Sequence, residues 1–223
     1  MARDLVTLYN LALSAIGTRA RVAHPNETSR EADICRLWYE TVRDKILSAA
    51  PWGSCQASAA LALKAQQDFA DAWAAGDPEP PWIYQYTLPA DHLYPRYLDS
   101  YETFRLGDAA GVPVLHTNAY APVLTYTRKD VPASSWSADL WMAMIHGLAG
   151  FIAMPLHGKP SRAQSSLDLA NRMILEARVQ AGNENVTEFD SVPDWLLARG
   201  VTSSITPSRY IYPNGPLLSI GTI

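Results

Sequence analysis

Charge is what this chain has least of. Asp, Glu, Lys and Arg make up 18% of its 223 residues, whereas a soluble domain usually carries about a quarter. Apolar residues account for 48%, so part of the surface is expected to be covered by another molecule. A basic excess is also lacking. The formal net charge of −4 argues against a general binder of nucleic acid or anionic membranes, which needs a basic face; local basic patches stay open. Cysteine is almost absent. Cys35 and Cys55 make no disulfide framework and read as two free, structural thiols of a protein made in a reducing cytoplasm. The opening "MARDLVTLYN" contains an Asp and no long apolar core before a small-residue cleavage site, so it does not read as a signal peptide.

Catalytic signatures are missing too. His24, His92, His116, His146 and His157 are scattered, with no HExxH and no Cys pair at metal spacing. His146, in the most apolar stretch, reads as a hydrogen-bonded core residue. No GxSxG elbow, P-loop or dinucleotide fingerprint occurs. "GDAAG" at 107–111 joins β to β, so no helix N-terminus would face a phosphate there. Glu31 and Asp33 cannot face one another along a helix. Asp68 with Asp71, and Glu188 with Asp190, read as solvated surface. A glycosidase would need two carboxylates flanking a sugar bond, and the sequence shows none placed in an aromatic pocket near Trp82 or Trp195. The expectation is a protein that is not an enzyme, with no cofactor and no metal.

What the chain does have is helical periodicity at both ends. Leu5, Leu8, Tyr9, Ala12, Ala15 and Ile16 share one face, and Gly17 suits the position just past a helix. "TSRE" predicts a Thr28–Glu31 capping box before the stripe Cys35, Trp38, Tyr39, Val42, Ile46 and Ala49, which Pro51 limits. The Ala-rich residues 53–75 predict a softer continuation as helix. Leu140 to Gly158 contains no Asp, Glu, Lys or Arg, which predicts a central helix apolar nearly all round; Pro155, His146 and its short length argue against a membrane span. Ala143, Gly147 and Gly150 would let a neighbour approach closely. A last helix over 161–181 repeats Ala163, Leu167, Ala170, Ile174, Ala177 and Ala181, and Gly182 is expected to end it.

The middle is different. Prolines concentrate between Pro78 and Pro132, separating β-prone runs at Trp82–Leu88, Tyr101–Leu106, Val112–Thr117 and Val123–Arg128, with "GDAAG" as a hairpin turn. The fold class predicted is α+β, mainly α: an antiparallel helical bundle with one small inserted antiparallel sheet and an extended C-terminal arm. Its parts are 1–75 and 134–183 as the helical halves, 76–133 as the β-rich insertion and 184–223 as the arm. Trp38, Trp52 and Trp141 read as core anchors. Tyr84, Tyr86, Tyr94, Tyr97 and Tyr101, and the Trp195 segment, lie on non-helical stretches where interface use is expected.

The ending "SRYIYPNGPLLSIGTI" is apolar, yet Pro213, Gly215, Pro216 and Gly221 prevent a helix and spoil a central strand. From Trp195 to Ile223 there is no Asp or Glu. Such an arm cannot gather a core of its own, and extended segments of this kind dock by strand addition or through side-chain pockets. The expected contact residues are Trp195, Arg199, Ile205, Arg209, Tyr210, Ile211, Tyr212, Leu217, Leu218 and Ile220.

Three stretches carry a family resemblance. "LYNLALSAIGTRARV" with "SREADICRLWYETVRDKILSAAPW", "WIYQYTLPADHLYPRYL" with its Tyr–x–Leu–Pro–x–Asp run, and "LWMAMIHGLAGFIAMPLHG" are similar to segments of the head-to-tail adaptors of tailed bacteriophages, the tail tubular protein A group. The likeness spans roughly residues 4–180 and is a pattern of core positions. It implies a homomeric ring, commonly of twelve copies, at the head–tail junction of a virion and made in the host cytoplasm. Its partners would be copies of itself, a portal protein and a tail or nozzle protein, with DNA passing transiently through the lumen and no membrane. The arm stands where the family's portal-reaching arms stand, although its residues do not match theirs. The alternative function weighed beside this is a peptidoglycan hydrolase carried in the virion; a DNA-packaging or DNA-binding helical protein fits the sparse basic residues least.

Overall fold

The computed structural model describes residues 3–67, 76–158 and 160–184. Two helices come first, α1 (Leu5–Ala15) and α2 (Arg30–Ala49), and two last, α3 (Ala138–His157) and α4 (Pro160–Glu184). Between them run β1 (Gln56–Ala60), β2 (Ala62–Gln66), β3 (Tyr84–Thr87), β4 (His92–Leu98), β5 (Phe104–Asp108), β6 (Pro113–Thr117) and β7 (Val123–Arg128). The strands form two antiparallel sheets, ordered β1-β7-β4 and β2-β3-β6-β5.

This corrects the expected fold. The protein is α+β with two sheets and seven strands among the described residues, and it is not a helical bundle carrying one small sheet. Two segments account for the difference. Ala-rich residues 56–66, expected to continue as helix, pair as strands instead: Ala57 lies opposite Tyr126, and Ala59 opposite Leu124. Both alanines pack on a buried cluster, so the fit of small side chains beside large cross-strand partners outweighs the helix propensity of Ala. The second segment is β4, which none of the expected β-prone runs included and which carries Pro95. It is an edge strand, with register shifts on either side of Pro95, the setting in which a missing N–H is tolerated. Two helix ends also differ. Ser29, rather than Thr28, caps α2 by accepting from the Ala32 N–H. Gly182 lies inside α4 and does not end it.

The hydrophobic interior is in two parts. In the first, α1, α2 and α3 bury Leu8, Leu13, Ile46, Leu47, Leu140, Met144 and Leu148 against one another, with Trp52, Trp136 and Trp141. Helix α3 is long and apolar enough to cross a membrane, and its side chains here serve mainly as the centre of this core. Close approach follows from its glycines: a Cβ on Gly147 would meet Ile46 Cδ1 at 2.5 Å, and one on Gly150 would meet Leu167 at 2.6 Å. Cys35 and Cys55 are free and buried, and burial pushes the Cys35 thiol up to about 12. The second part lies between the sheets, where Tyr86, Leu98, Leu115, Leu124 and Tyr126 meet. The buried Tyr86 hydroxyl is fully engaged, donating to Ala119 O at 3.0 Å and accepting from Ala121 N at 2.9 Å.

Arginines fasten the helix ends. The last carbonyls of a helix have no partner within it, and the last turns of α1 and α2 carry no basic residue of their own. Arg162 of α4 donates to Ile16 O beyond α1, and Arg30 of α2 donates to Pro155 O near the end of α3 at 2.7 Å. The end of α2 is the most heavily served. Trp52 Nε1 donates to Ile46 O, Arg178 Nε of α4 to Ala49 O, and Arg96 Nη2 of β4 to both Leu47 O and Ala50 O, at 2.6–2.8 Å. Arg96 also donates through Nε to Thr127 Oγ1 at 2.8 Å. One guanidinium thereby joins both strands of an edge pair to the helical core. Replacing it by Met removes all of these bonds and strands two carbonyls of buried residues. Arg96→Met should lower the free energy of urea unfolding by about 3 kcal/mol. Arg96→Lys, a point charge without the planar fork, should recover less than half of that loss.

Asp91, the acid of the Tyr–x–Leu–Pro–x–Asp run, holds β4 to the end of β7. Its carboxylate accepts from Tyr126 Oη at 2.9 Å and from Arg128 Nε at 2.9 Å. The Tyr126 hydrogen bond, and then Arg128, hold the carboxyl below its usual value. A depressed carboxyl contributes stability above its unfolded pKa and loses it as pH falls through the folded one. Asp91→Asn should therefore cost about 1 kcal/mol at neutral pH, a small loss because the Asp91 and Arg128 side chains are 34% and 43% exposed. The gap from the wild type in thermal or urea unfolding should close below about pH 4.

Candidate interaction surface

Every contact residue expected from the arm, namely Trp195, Arg199, Ile205, Arg209, Tyr210, Ile211, Tyr212, Leu217, Leu218 and Ile220, lies outside the described residues. The surface on which the rest of the chain could meet a partner is built from α4 and the edge strand β4.

Along α4 the apolar spacing seats the first half more deeply than the second. Ala163, Ser166 and Ala170 are buried, while after Ala170 no described α4 side chain is fully buried. Ile174 and Ala177 still touch the helical core. Leu169, Leu175 and Val179 turn outward, 42%, 60% and 58% exposed. Beneath the helix remains a groove of about 410 Å³ whose lining includes Val42, Ile46, Gly147, Phe151, Leu167 and Ile174.

The tyrosines sort by strand position. Tyr86 faces the core between the sheets, so it is unavailable to a partner. Tyr94, Tyr97 and Tyr101 are exposed on β4 and the turn after it. Tyr97 and Tyr101 stack with ring centroids 6.1 Å apart and planes 8° from parallel, and Arg96 lies 4.7 Å over the Tyr94 ring. Tyr101 takes φ of 54°, a conformation costly for a bulky residue, and it is 81% exposed. The carboxyl end of α2 links these two regions, since Arg96 and Arg178 hold its neighbouring carbonyls at Ala50 and Ala49. Sequence reasoning missed this link because Arg96 and Arg178 are 46 and 129 residues from the groups they bind.

Among the described residues no group of three His, Cys, Asp or Glu could hold a metal ion. Trp52 and Trp141 are buried, and Trp38 packs on the core with its ring 5.1 Å from Phe151. Glu79, near Trp82, is 60% exposed and paired with Arg105 at 3.1 Å rather than sealed in an aromatic pocket. Asp4, Glu27 and Asp91 are each held below the usual carboxylate range by hydrogen bonds to Thr7, Ser29 and Tyr126 respectively. That is the opposite of what a general acid needs. His146 is half-buried on α3, and burial lowers its pKa. No described residue hydrogen-bonds its ring, unlike the core histidine expected.

No protein-family model matches the chain, and no curated protein matches it.

Proposed function

We propose that this protein is a structural head-to-tail adaptor of a tailed bacteriophage, a subunit of a homomeric ring that joins portal to tail and lets DNA pass. The observation that carries the reading is three exposed apolar side chains of α4, Leu169, Leu175 and Val179, which stand in water among Asp168, Arg172 and Glu176 on the helix that leads directly into the charge-poor residues 185–223. Fully burying a side chain of this size is worth about 1.5–3 kcal/mol. A patch of three, repeated around a closed ring, gives a strong drive to assemble. Side-by-side packing of that kind is heterologous contact that closes on itself. The three stretches with the adaptor-like pattern fall on α1 and α2, on β3 and β4, and on α3. On this reading the arm docks on the portal, while the outer α4 side chains meet the neighbouring subunit.

Mass measurement by light scattering on a sizing column tests both parts. The isolated chain, or the chain mixed with its portal protein, should run as a closed multiple of the subunit mass. Leu175→Glu with Val179→Glu should reduce that mass at least tenfold at equal concentration while leaving the far-ultraviolet circular dichroism unchanged. Cutting the chain after Asp194 should abolish co-migration with the portal and spare the subunit's fold. A wild type that stays monomeric both alone and with the portal would overturn the reading.

A further inference from the structure

Arginine has a consistent use in this molecule. Arg3, Arg30, Arg36, Arg96, Arg162 and Arg178 each donate to a backbone carbonyl, and Arg43, Arg105 and Arg128 each pair with a carboxylate. Arg19, Arg21 and Arg172 depart from that pattern, and the first two stand together. Both are exposed, and among the described residues neither has a hydrogen-bond or ion-pair partner. They line the same groove, of about 420 Å³, together with Thr7, Asn10, Ser14 and Thr18.

The segment that carries them is held on both sides. Thr18 N donates to Leu13 O at 3.1 Å, and Arg162 donates to Ile16 O just before it. On the far side the Asn10 amide clamps Val22, accepting from its N–H and donating to its carbonyl, both at 2.8 Å. Two cations are therefore held over one wall of hydroxyl and amide groups, so less freedom is lost when a ligand arrives. Among the described residues the groove lining contains no carboxylate. The nearest acids are engaged elsewhere: Asp4 accepts from Thr7 N at 2.7 Å, and Glu27 accepts from Ala23 N at 2.8 Å and from Ser29.

We propose that this groove between α1 and residues 18–21 binds the phosphate backbone of duplex DNA. Guanidinium and hydroxyl donors without a competing carboxylate suit phosphate oxygens. Among the described residues no aromatic side chain lines the groove, so they offer no platform for an unstacked base; this favours a duplex over a single strand. The net charge of −4 is no obstacle, because charges beyond a Debye length of about 10 Å at 0.1 M salt are largely screened. Contact is weak and independent of base sequence, as suits DNA that must move past. The proposal goes beyond the adaptor reading, and its failure would leave that reading standing, because ring formation is read separately by mass.

The test is fluorescence anisotropy of a labelled 20-base-pair duplex of mixed sequence, titrated with the full-length chain between 50 and 200 mM salt. Three proteins are compared: wild type, Arg19→Gln with Arg21→Gln, and the charge-matched control Lys64→Gln with Lys129→Gln, all checked for fold by circular dichroism. Wild type should bind, and the groove variant should lose at least tenfold in affinity at 50 mM salt. Its slope of log affinity on log salt should be shallower by about 2 for each subunit engaged. The control should stay within twofold of wild type. Absence of wild-type binding at 50 mM salt would overturn the proposal, as would equal losses in groove variant and control. Displacement of the duplex by millimolar inorganic phosphate at constant ionic strength would show that the groove takes the free anion, and would overturn the DNA assignment too.

Discussion

The architecture depends on an ordinary constraint: a helix leaves its last carbonyls without partners, and here the partners come from far along the chain. Arg96, Arg178 and Trp52 converge on the end of α2, Arg30 reaches the end of α3, and Arg162 reaches the end of α1. Each arginine bond sets a positive group against the negative pole of a helix and also fixes where two elements sit. This accounts for much of how a charge-poor sequence uses its few cations. They act less as a solvated coat than as pins between helices and strands, and the arginines left over from that role become informative.

Two cores joined by such pins behave differently from one continuous interior. The helical core is dense because α3 brings glycines against Ile46 and Leu167. The core between the sheets is smaller and relies on satisfied polar groups at its margin, with Tyr86 bound at both ends of a loop and Asp91 bridging Tyr126 and Arg128. Arg96 connects the two, lying on α2 carbonyls and on Thr127 of β7 at once. The outer parts of α4 and β4 take their positions from the same junction. Apolar surface left on both is thus presented on a framework that is braced from within.

Much of this could be read from the chain, and the parts that could not share a reason. The helical stripes gave α1, α2 and α3 within a few residues, and the turn at 107–111 appears as expected between β5 and β6. The β-prone runs between prolines anticipated β3, β6 and β7, and part of β5. What local pattern could not supply was β1, β2 and β4, because Ala favours a helix when alone and Pro disfavours a strand when alone. Their pairing is decided by Tyr126, Leu124 and the edge position of β4, all remote in sequence. The surface was partly legible: tyrosines on non-helical runs were expected at an interface, and Tyr94, Tyr97 and Tyr101 are exposed, but Tyr86 is not. The arginine ties were invisible, since no spacing rule connects residue 178 to residue 49.

That last separation has a consequence for biogenesis. Helix α2 is complete on the ribosome by Ala49, yet the side chain that covers the Ala49 carbonyl is made 129 residues later. At about 5–20 residues per second of translation, the emerging chain spends several seconds with that helix end open to water or to chaperones. Closure of that helix end therefore waits for α4, and settles only when α4 brings Arg178 to the Ala49 carbonyl.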